Sequence, residues 1–204
     1  MLTKIKLTFH NLGLRSWIEC DLCYNCPLSR AKGCCTYNPT FHVVDIAYIG
    51  AKRPDLLLLI INRPRVLVET TWISVNYLDD PMVGHRCQFN TDTGCSLPVE
   101  FRESVCRHFI CPGIKMWEEE SISQWAGFIQ ELETTEAEFN QHLREKLKQA
   151  GVDLRSSFLK ATAVLVKEYK EVLKKIEEER FAGYPRQEQV ILEREISLSE
   201  KWVV

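Results

Sequence analysis

Nine cysteines are the residues of this sequence whose type and spacing could support chemistry. They form an early group and a later group: Cys20, Cys23, Cys26, Cys34 and Cys35, then Cys87, Cys95, Cys106 and Cys111. Thiolates are soft, charged ligands for Zn²⁺ or iron, and two cysteines separated by two residues can reach one ion. We therefore predict that these nine residues are the candidate metal ligands, for zinc or iron, with an iron–sulfur cluster as one form of the site.

The spacing leaves the form of that site open. Cys20, Cys23 and Cys26-Pro27 resemble the start of a bacterial ferredoxin motif, but no fourth cysteine follows about three residues later, which disfavours a simple ferredoxin. Nine thiols suffice for two four-sulfur sites, or for one cluster with spare ligands. The alternative is that some of them are small buried apolar residues, which is the usual state of an isolated cysteine.

Three further side chains lie close to the cysteines in sequence. His85 and His108 are each two residues from a cysteine and could complete a sulfur-rich site, although a structural histidine is the commoner case. Arg107, which follows Cys106, could hydrogen-bond a thiolate or form a surface ion pair.

The order of the cysteine motifs also suggests a family. The motifs are CxxC, GCC, CQF, GCSLP and CRHF, in that order along residues 20–111. This order resembles the YkgJ-like cysteine-cluster proteins, whose pattern is CxxCxxCC followed by a distant RPxxCR. The resemblance covers about half of the chain and implies a zinc- or iron-chelating site without implying a reaction. In this chain seven residues separate Cys26 from the double cysteine, so which early cysteine matches which ligand of the family stays open. Arg102 is followed by Glu103 instead of the family's Pro.

These residues support three functions of different classes. The first is a metal-binding protein that holds zinc or iron through clustered thiolates. The alternative is an iron–sulfur electron-transfer or redox component of a larger complex, and the third is a metal-dependent enzyme, which would need an open coordination position. The sequence contains no phosphate-binding loop, dinucleotide fingerprint, zinc-protease helix or hydrolase elbow, so no catalytic residue and no small-molecule substrate is assigned.

Composition limits the partners and the compartment. The 26 basic and 28 acidic residues give a net charge of −2, which offers no electrostatic support for nucleic-acid binding. The N-terminus lacks the continuous apolar region of a secretory signal, and the longest apolar run, residues 56–61, is far shorter than the roughly 20 residues of a membrane span. We expect a cytoplasmic protein with reduced thiols, which favours metal ligation over disulfides.

A change of composition after Trp117 divides the chain. All nine Cys and seven of the eight Pro precede this point; residues 1–117 carry 13 basic and 10 acidic side chains, and residues 118–204 carry 13 and 18. We predict an α+β protein: a small irregular cysteine-rich metal-binding domain at residues 1–117, a mainly α-helical hairpin at 118–182 and a C-terminal tail at 183–204. The helical region would support the cysteine domain or offer a surface to a protein partner.

Local patterns predict the elements of both parts. Alternation indicates a strand at residues 4–10, Pro54 the start of a buried helix, and the β-branched run at 66–77 a strand or strand pair. The tail from residue 190 alternates too weakly to distinguish a strand from a docking arm.

Capping signals place the two helices of the hairpin. Ser121 and Gln124 fit a capping box at the start of the first helix, Gly151 is suited to end it, and Asp153 can cap the second. The second helix should bury one apolar face, which comprises Leu154, Phe158, Ala161, Leu165, Tyr169, Val172 and Ile176.

Overall fold

Helices and small antiparallel sheets make up this computed structural model, which describes residues 2–24, 35, 37–81, 84–91 and 94–196. The strands within these ranges are β1 (Leu2–His10), β2 (Trp17–Cys20), β3 (Thr40–His42), β4 (Val66–Val68), β5 (Trp72–Val75), β6 (Leu78–Asp80), β7 (Gly84–Arg86), β8 (Asn90–Thr91), β9 (Gly94–Cys95) and β10 (Gln187–Glu195). The helices are α1 (Asp21–Tyr24), α2 (Val43–Lys52), α3 (Pro54–Ile61), α4 (Ser104–His108), α5 (Ser123–Ala150), α6 (Leu154–Glu168) and α7 (Lys174–Arg180). The α+β class is thus confirmed.

The first sheet joins the two ends of the described chain. Its strand order is β10-β1-β2, and β1 pairs with β10 along its whole length, from Leu2 opposite Glu195 to His10 opposite Gln187. Successive side chains of a strand point to opposite faces, and alternate residues of β1, among them Leu7, are fully buried. The strand predicted at residues 4–10 is confirmed, and the tail forms a strand over residues 187–195.

A second sheet and two helices form the centre of the molecule. The sheet has the order β3-β5-β4, and α2 packs against both β3 and α3. Pro54 occupies the first turn of α3, as predicted, because its missing N–H has no intrahelical acceptor there. The segment at residues 66–77 is the predicted strand pair, β4 and β5, which align antiparallel with Val66 opposite Val75.

The helices α5 and α6 form the predicted antiparallel hairpin. Gly151 ends α5 at φ +64°, a left-handed conformation that glycine adopts without steric cost, and Asp153 caps α6 by accepting from the Ser156 amide at 2.8 Å. The pair is joined by His142 Nε2 and Glu168 Oε1 at 2.6 Å. The other face of α5 is covered from within the chain, since Asn140 accepts from a backbone amide of α2 and β1 packs against Trp125.

Two details of the helical prediction are wrong. The capping box does not form: a 3₁₀ turn precedes α5, which begins at Ser123, and its N-cap, Ile122, has no capping side chain. A π-helical segment, Tyr169–Leu173, follows α6 and adds one residue to a turn, so that Leu173 is buried whereas Val172 is 37% exposed. A regular 3.6-residue period cannot anticipate this shift. No helix among the described residues has the length and apolar character to span a bilayer.

Candidate metal centre

The nine predicted ligands have different positions in the fold. Cys20 ends β2 in the apolar core, the backbone of Cys23 lies in α1, and Cys26 and Cys34 lie outside the described residues. The remaining five are Cys35, Cys87, Cys95, Cys106 and Cys111, all in the loops, hairpins and short helix of residues 35–111. Cys111 packs partly buried against the core, next to a 3₁₀ turn that its own carbonyl closes.

Among the described residues, a backbone hydrogen bond joins the early and late cysteine groups. The amide of Cys87 donates to the carbonyl of Cys35 at 2.8 Å. The chain then returns through the β8–β9 hairpin, where Cys95 lies opposite Asn90, whose amide donates to the Cys87 carbonyl at 3.0 Å. Short loops thus place Cys95 and Cys87 on the same small unit, against the end of the early group.

Cys106 is brought to the same neighbourhood by α4 and its N-cap. The two oxygens of the buried Glu103 accept from the amides of Val105 and Cys106, each at 3.0 Å, which satisfies donors that a helix start leaves unpaired. Glu103 therefore fixes the start of the helix that carries Cys106.

Electrostatics couples these side chains. Partial burial raises the pKa of the Cys106 thiol, and the charges of Glu103, Cys87 and Cys95 raise it further. Burial likewise raises the pKa of Cys87, with Cys95 and Glu103 as further causes. Such thiols are poor nucleophiles, because the reactive thiolate is disfavoured. We call Cys87, Cys95 and Cys106 the thiol cluster, because Cys95 raises the pKa of Cys87 and both of these thiols raise the pKa of Cys106.

The described residues of the thiol cluster do not form a complete set of metal ligands. Among the residues that the structure describes, no three His, Cys, Asp or Glu side chains are grouped so that they could hold a metal ion.

The nearby histidines make other contacts. The Nε2–H of His108 donates to the Ser16 carbonyl at 2.8 Å, and burial, followed by the neighbouring charge of Arg107, lowers its pKa to about 3. His85 stacks on the Tyr77 ring at 4.5 Å between centroids. Neither contact prepares a base for Cys106 or a nitrogen ligand for the thiol cluster.

The surface ion pair considered for Arg107 is wrong, because its side chain is buried and the carboxylate nearest to it, Glu136 at 3.9 Å, is buried as well. Its Nε donates to the Arg102 carbonyl at 3.0 Å, and its Nη1 donates to the carbonyls of Leu14 and Ser16. Burial lowers the pKa of Arg107 to about 10, still far above neutrality, so the group remains charged.

A buried charge network beside the thiol cluster was not predicted from sequence. Arg15 Nη1 lies 2.6 Å from Asp45 Oδ1, and both side chains are 1% exposed. Burial alone would lower the pKa of Arg15, but Asp45, Glu136 and Glu177 raise it above its ordinary value. One signal was present: Asp45 stands alone in the apolar run FHVVDIAYI. A charge at such a position in a sequence indicates a buried partner.

Comparisons with known proteins identify no relative. No family model matches the chain, and it has no match among curated proteins or solved structures.

Proposed function

We propose that this chain binds zinc or iron through thiolates from both cysteine groups, with the thiol cluster as the ligands of the later group. The observation that carries the proposal is the hydrogen bond from the Cys87 amide to the Cys35 carbonyl. It brings the backbone of Cys35 beside that of Cys87, although the two residues lie far apart in sequence. Reduced thiols from separate segments, gathered beside one another, are the usual components of a sulfur-rich metal site.

The electrostatics of the thiol cluster supports a cation. Burial, the buried carboxylate of Glu103 and mutual repulsion raise the pKa of Cys87 and Cys106. A divalent cation would reverse this balance, because it neutralises the thiolates and makes their deprotonation favourable. Metal binding would then release protons, and the apparent affinity would rise with pH.

Binding would also complete the packing of the site. Since no three ligands lie at metal spacing among the described residues, the ion would draw the sulfurs together, with a contribution from the early cysteines. The free energy of metal binding would in that case add to the stability of the folded chain.

The first test is metal content with visible spectroscopy on protein purified without oxygen. Colourless protein with stoichiometric zinc would identify a zinc protein. Brown protein, whose absorption is bleached by dithionite, would identify an iron–sulfur redox component. Protein that takes up neither metal would refute the proposal.

The second test uses matched variants of α4. Cys106→Ser should lower bound metal and thermal stability together, because it removes one ligand. Val105→Ser is the control, since Val105 precedes it on α4 and is 48% exposed. Cys95→Ser and Cys35→Ser extend the test to the hairpin and to the early group. Unchanged metal content in all three cysteine variants would contradict the ligand assignment.

A further inference from the structure

We infer that Arg107 is a positioning residue of the candidate metal centre: it holds the helix that carries Cys106 against the loop that leads into the early cysteines. The inference rests on the proposed function. Its basis is the set of backbone carbonyls that this single buried guanidinium binds.

The acceptors belong to two segments of the chain. The Arg102 carbonyl lies just before α4, whereas the carbonyls of Leu14 and Ser16 lie in the loop before β2. β2 ends at Cys20, where the early cysteine group begins, and it packs against α4. Arg107 therefore joins the two cysteine-bearing segments through their backbone carbonyls.

The loop that Arg107 binds is itself well defined. Gly13 has φ +58°, and the Glu177 carboxylate occupies the space beside it, where a Cβ atom would lie only 2.3 Å from Oε1. The same oxygen accepts from the Leu14 amide at 2.7 Å. Because other contacts hold this loop in place, its carbonyls can fix the position of the Arg107 guanidinium, and with it the position of α4.

The opposite side of the guanidinium faces α5. Arg107 Nη2 lies 3.9 Å from Glu136 Oε2, which accepts from the Ser104 hydroxyl at 2.8 Å. Ser104 is the first residue of α4, so both ends of this short helix are tied to the same buried ionic contact. A lysine at position 107 would keep the charge, but its single ammonium lacks the planar fork that reaches three carbonyls.

Arg15 offers a matched control. It is as buried as Arg107, belongs to the same network of buried charges, and lies in the loop that Arg107 binds. Its Nη1, however, bonds Asp45 of α2, and its guanidinium lies over the Tyr48 ring, 4.9 Å from the centroid. Among the described residues, its hydrogen bond, ion pair and ring contact all run to α2. Replacement of either arginine should lower stability, whereas only Arg107 should alter the metal centre.

The experiment compares Arg107→Lys with Arg15→Lys by the affinity of the full chain for Zn²⁺, measured by chelator competition at a temperature where circular dichroism shows both variants folded. Arg107→Lys should bind Zn²⁺ about 10- to 100-fold more weakly, the usual effect of removing a group that supports metal ligands. Arg15→Lys should keep the affinity of the unmodified chain. Equal losses in both variants, or no loss in Arg107→Lys, would overturn the inference while leaving metal binding intact.

A measurement on the unmodified chain covers the case in which Arg107→Lys does not fold. Zn²⁺ should slow amide hydrogen exchange in α4 and also at Arg15 and Ser16, whose amides bond within the loop at 3.0 and 3.1 Å. Slowing in α4 without slowing in the loop would overturn the inference. An unmodified chain that binds no Zn²⁺ would overturn both this inference and the proposal of a zinc site.

Discussion

The sheet-and-helix scaffold around β1 and α5 and the cysteine segment at residues 84–111 are stabilised in different ways. The scaffold has a nine-residue strand ladder and a 28-residue helix, and its interior holds large side chains such as Phe9 and Trp125, whose rings stack at 4.7 Å. Burial of apolar surface on this scale stabilises a domain without further help.

The cysteine segment contains much smaller elements. Its strands have two or three residues, and its helix α4 has five. Isolated hairpins of this size are marginally stable in water. The segment is held by a few buried apolar residues, chiefly Phe89, Leu97 and Phe101, and by the hydrogen bonds of Arg107 to the loop before β2. The difference teaches that a ligand of the cysteine segment would contribute to its order, whereas the scaffold needs none.

The largest difference in unfolding free energy between the two regions is expected from two tryptophan substitutions. Trp125→Ala should lower the free energy of unfolding by about 3–5 kcal/mol, because it empties a core position that is 1% exposed. Trp117→Ala, at a position 48% exposed beside the cysteine segment, should change it by less than about 0.5 kcal/mol. Urea denaturation measures both. Similar losses of unfolding free energy in the two variants would contradict the distinction between the scaffold and the cysteine segment.

Zinc should act on one region only. At a free concentration of about 100 times its Kd, Zn²⁺ should stabilise the cysteine segment against opening by about 2.7 kcal/mol. Limited proteolysis within residues 84–111 should therefore be about 100-fold slower with Zn²⁺ than after chelation, since cleavage follows the population of the open form. Cleavage within α5 serves as the internal control and should not change. Equal protection of α5 would show that the regions are not separable.

The smallest effect concerns the hairpin of the scaffold. Burial alone would raise the pKa of Glu168, but its hydrogen bond with His142 and the Lys146 ammonium hold it below the ordinary value of 4.5. The pair therefore stabilises the fold above pH 4.5, and this contribution is lost as the pH falls through the lowered pKa.

Glu168→Gln tests that contribution. It should cost about 0.5 kcal/mol at pH 7, a typical value for an ion pair that solvent partly screens, and the difference from the unmodified chain should vanish in acid. Denaturation curves at both pH values measure it. A difference that persists in acid would indicate lost packing instead of a lost ion pair.

Local signals account for the elements that were predicted correctly. Pro54, Gly151 and Asp153 act through their own backbone or through the next turn, so a few neighbouring residues suffice to place the helix ends. The errors arise where packing imposes an irregular turn. A 3₁₀ turn delays the start of α5, and a π turn leaves Val172 exposed, and both turns depart from the regular helical period.

The sequence predicted candidate metal ligands but not their arrangement in the fold. The spacing of the cysteines pointed to soft ligands, and it separated them into two groups. It could not indicate that Cys20 enters the apolar core, or that Arg107 binds carbonyls of a loop more than 90 residues away. These are long-range contacts, and no periodicity within a segment encodes them.

The sequence by itself determined the types of side chain available for chemistry, the α+β class and the positions of β1, the β4–β5 pair, α3, α5 and α6, because hydrogen bonding and apolar periodicity act over a few residues. Only the tertiary structure decided that β10 completes the sheet on β1, that Cys35 lies against Cys87, and that buried charges on Arg15 and Asp45 face each other. The physical reason is that these contacts join distant segments, and their energy depends on how the whole core excludes water.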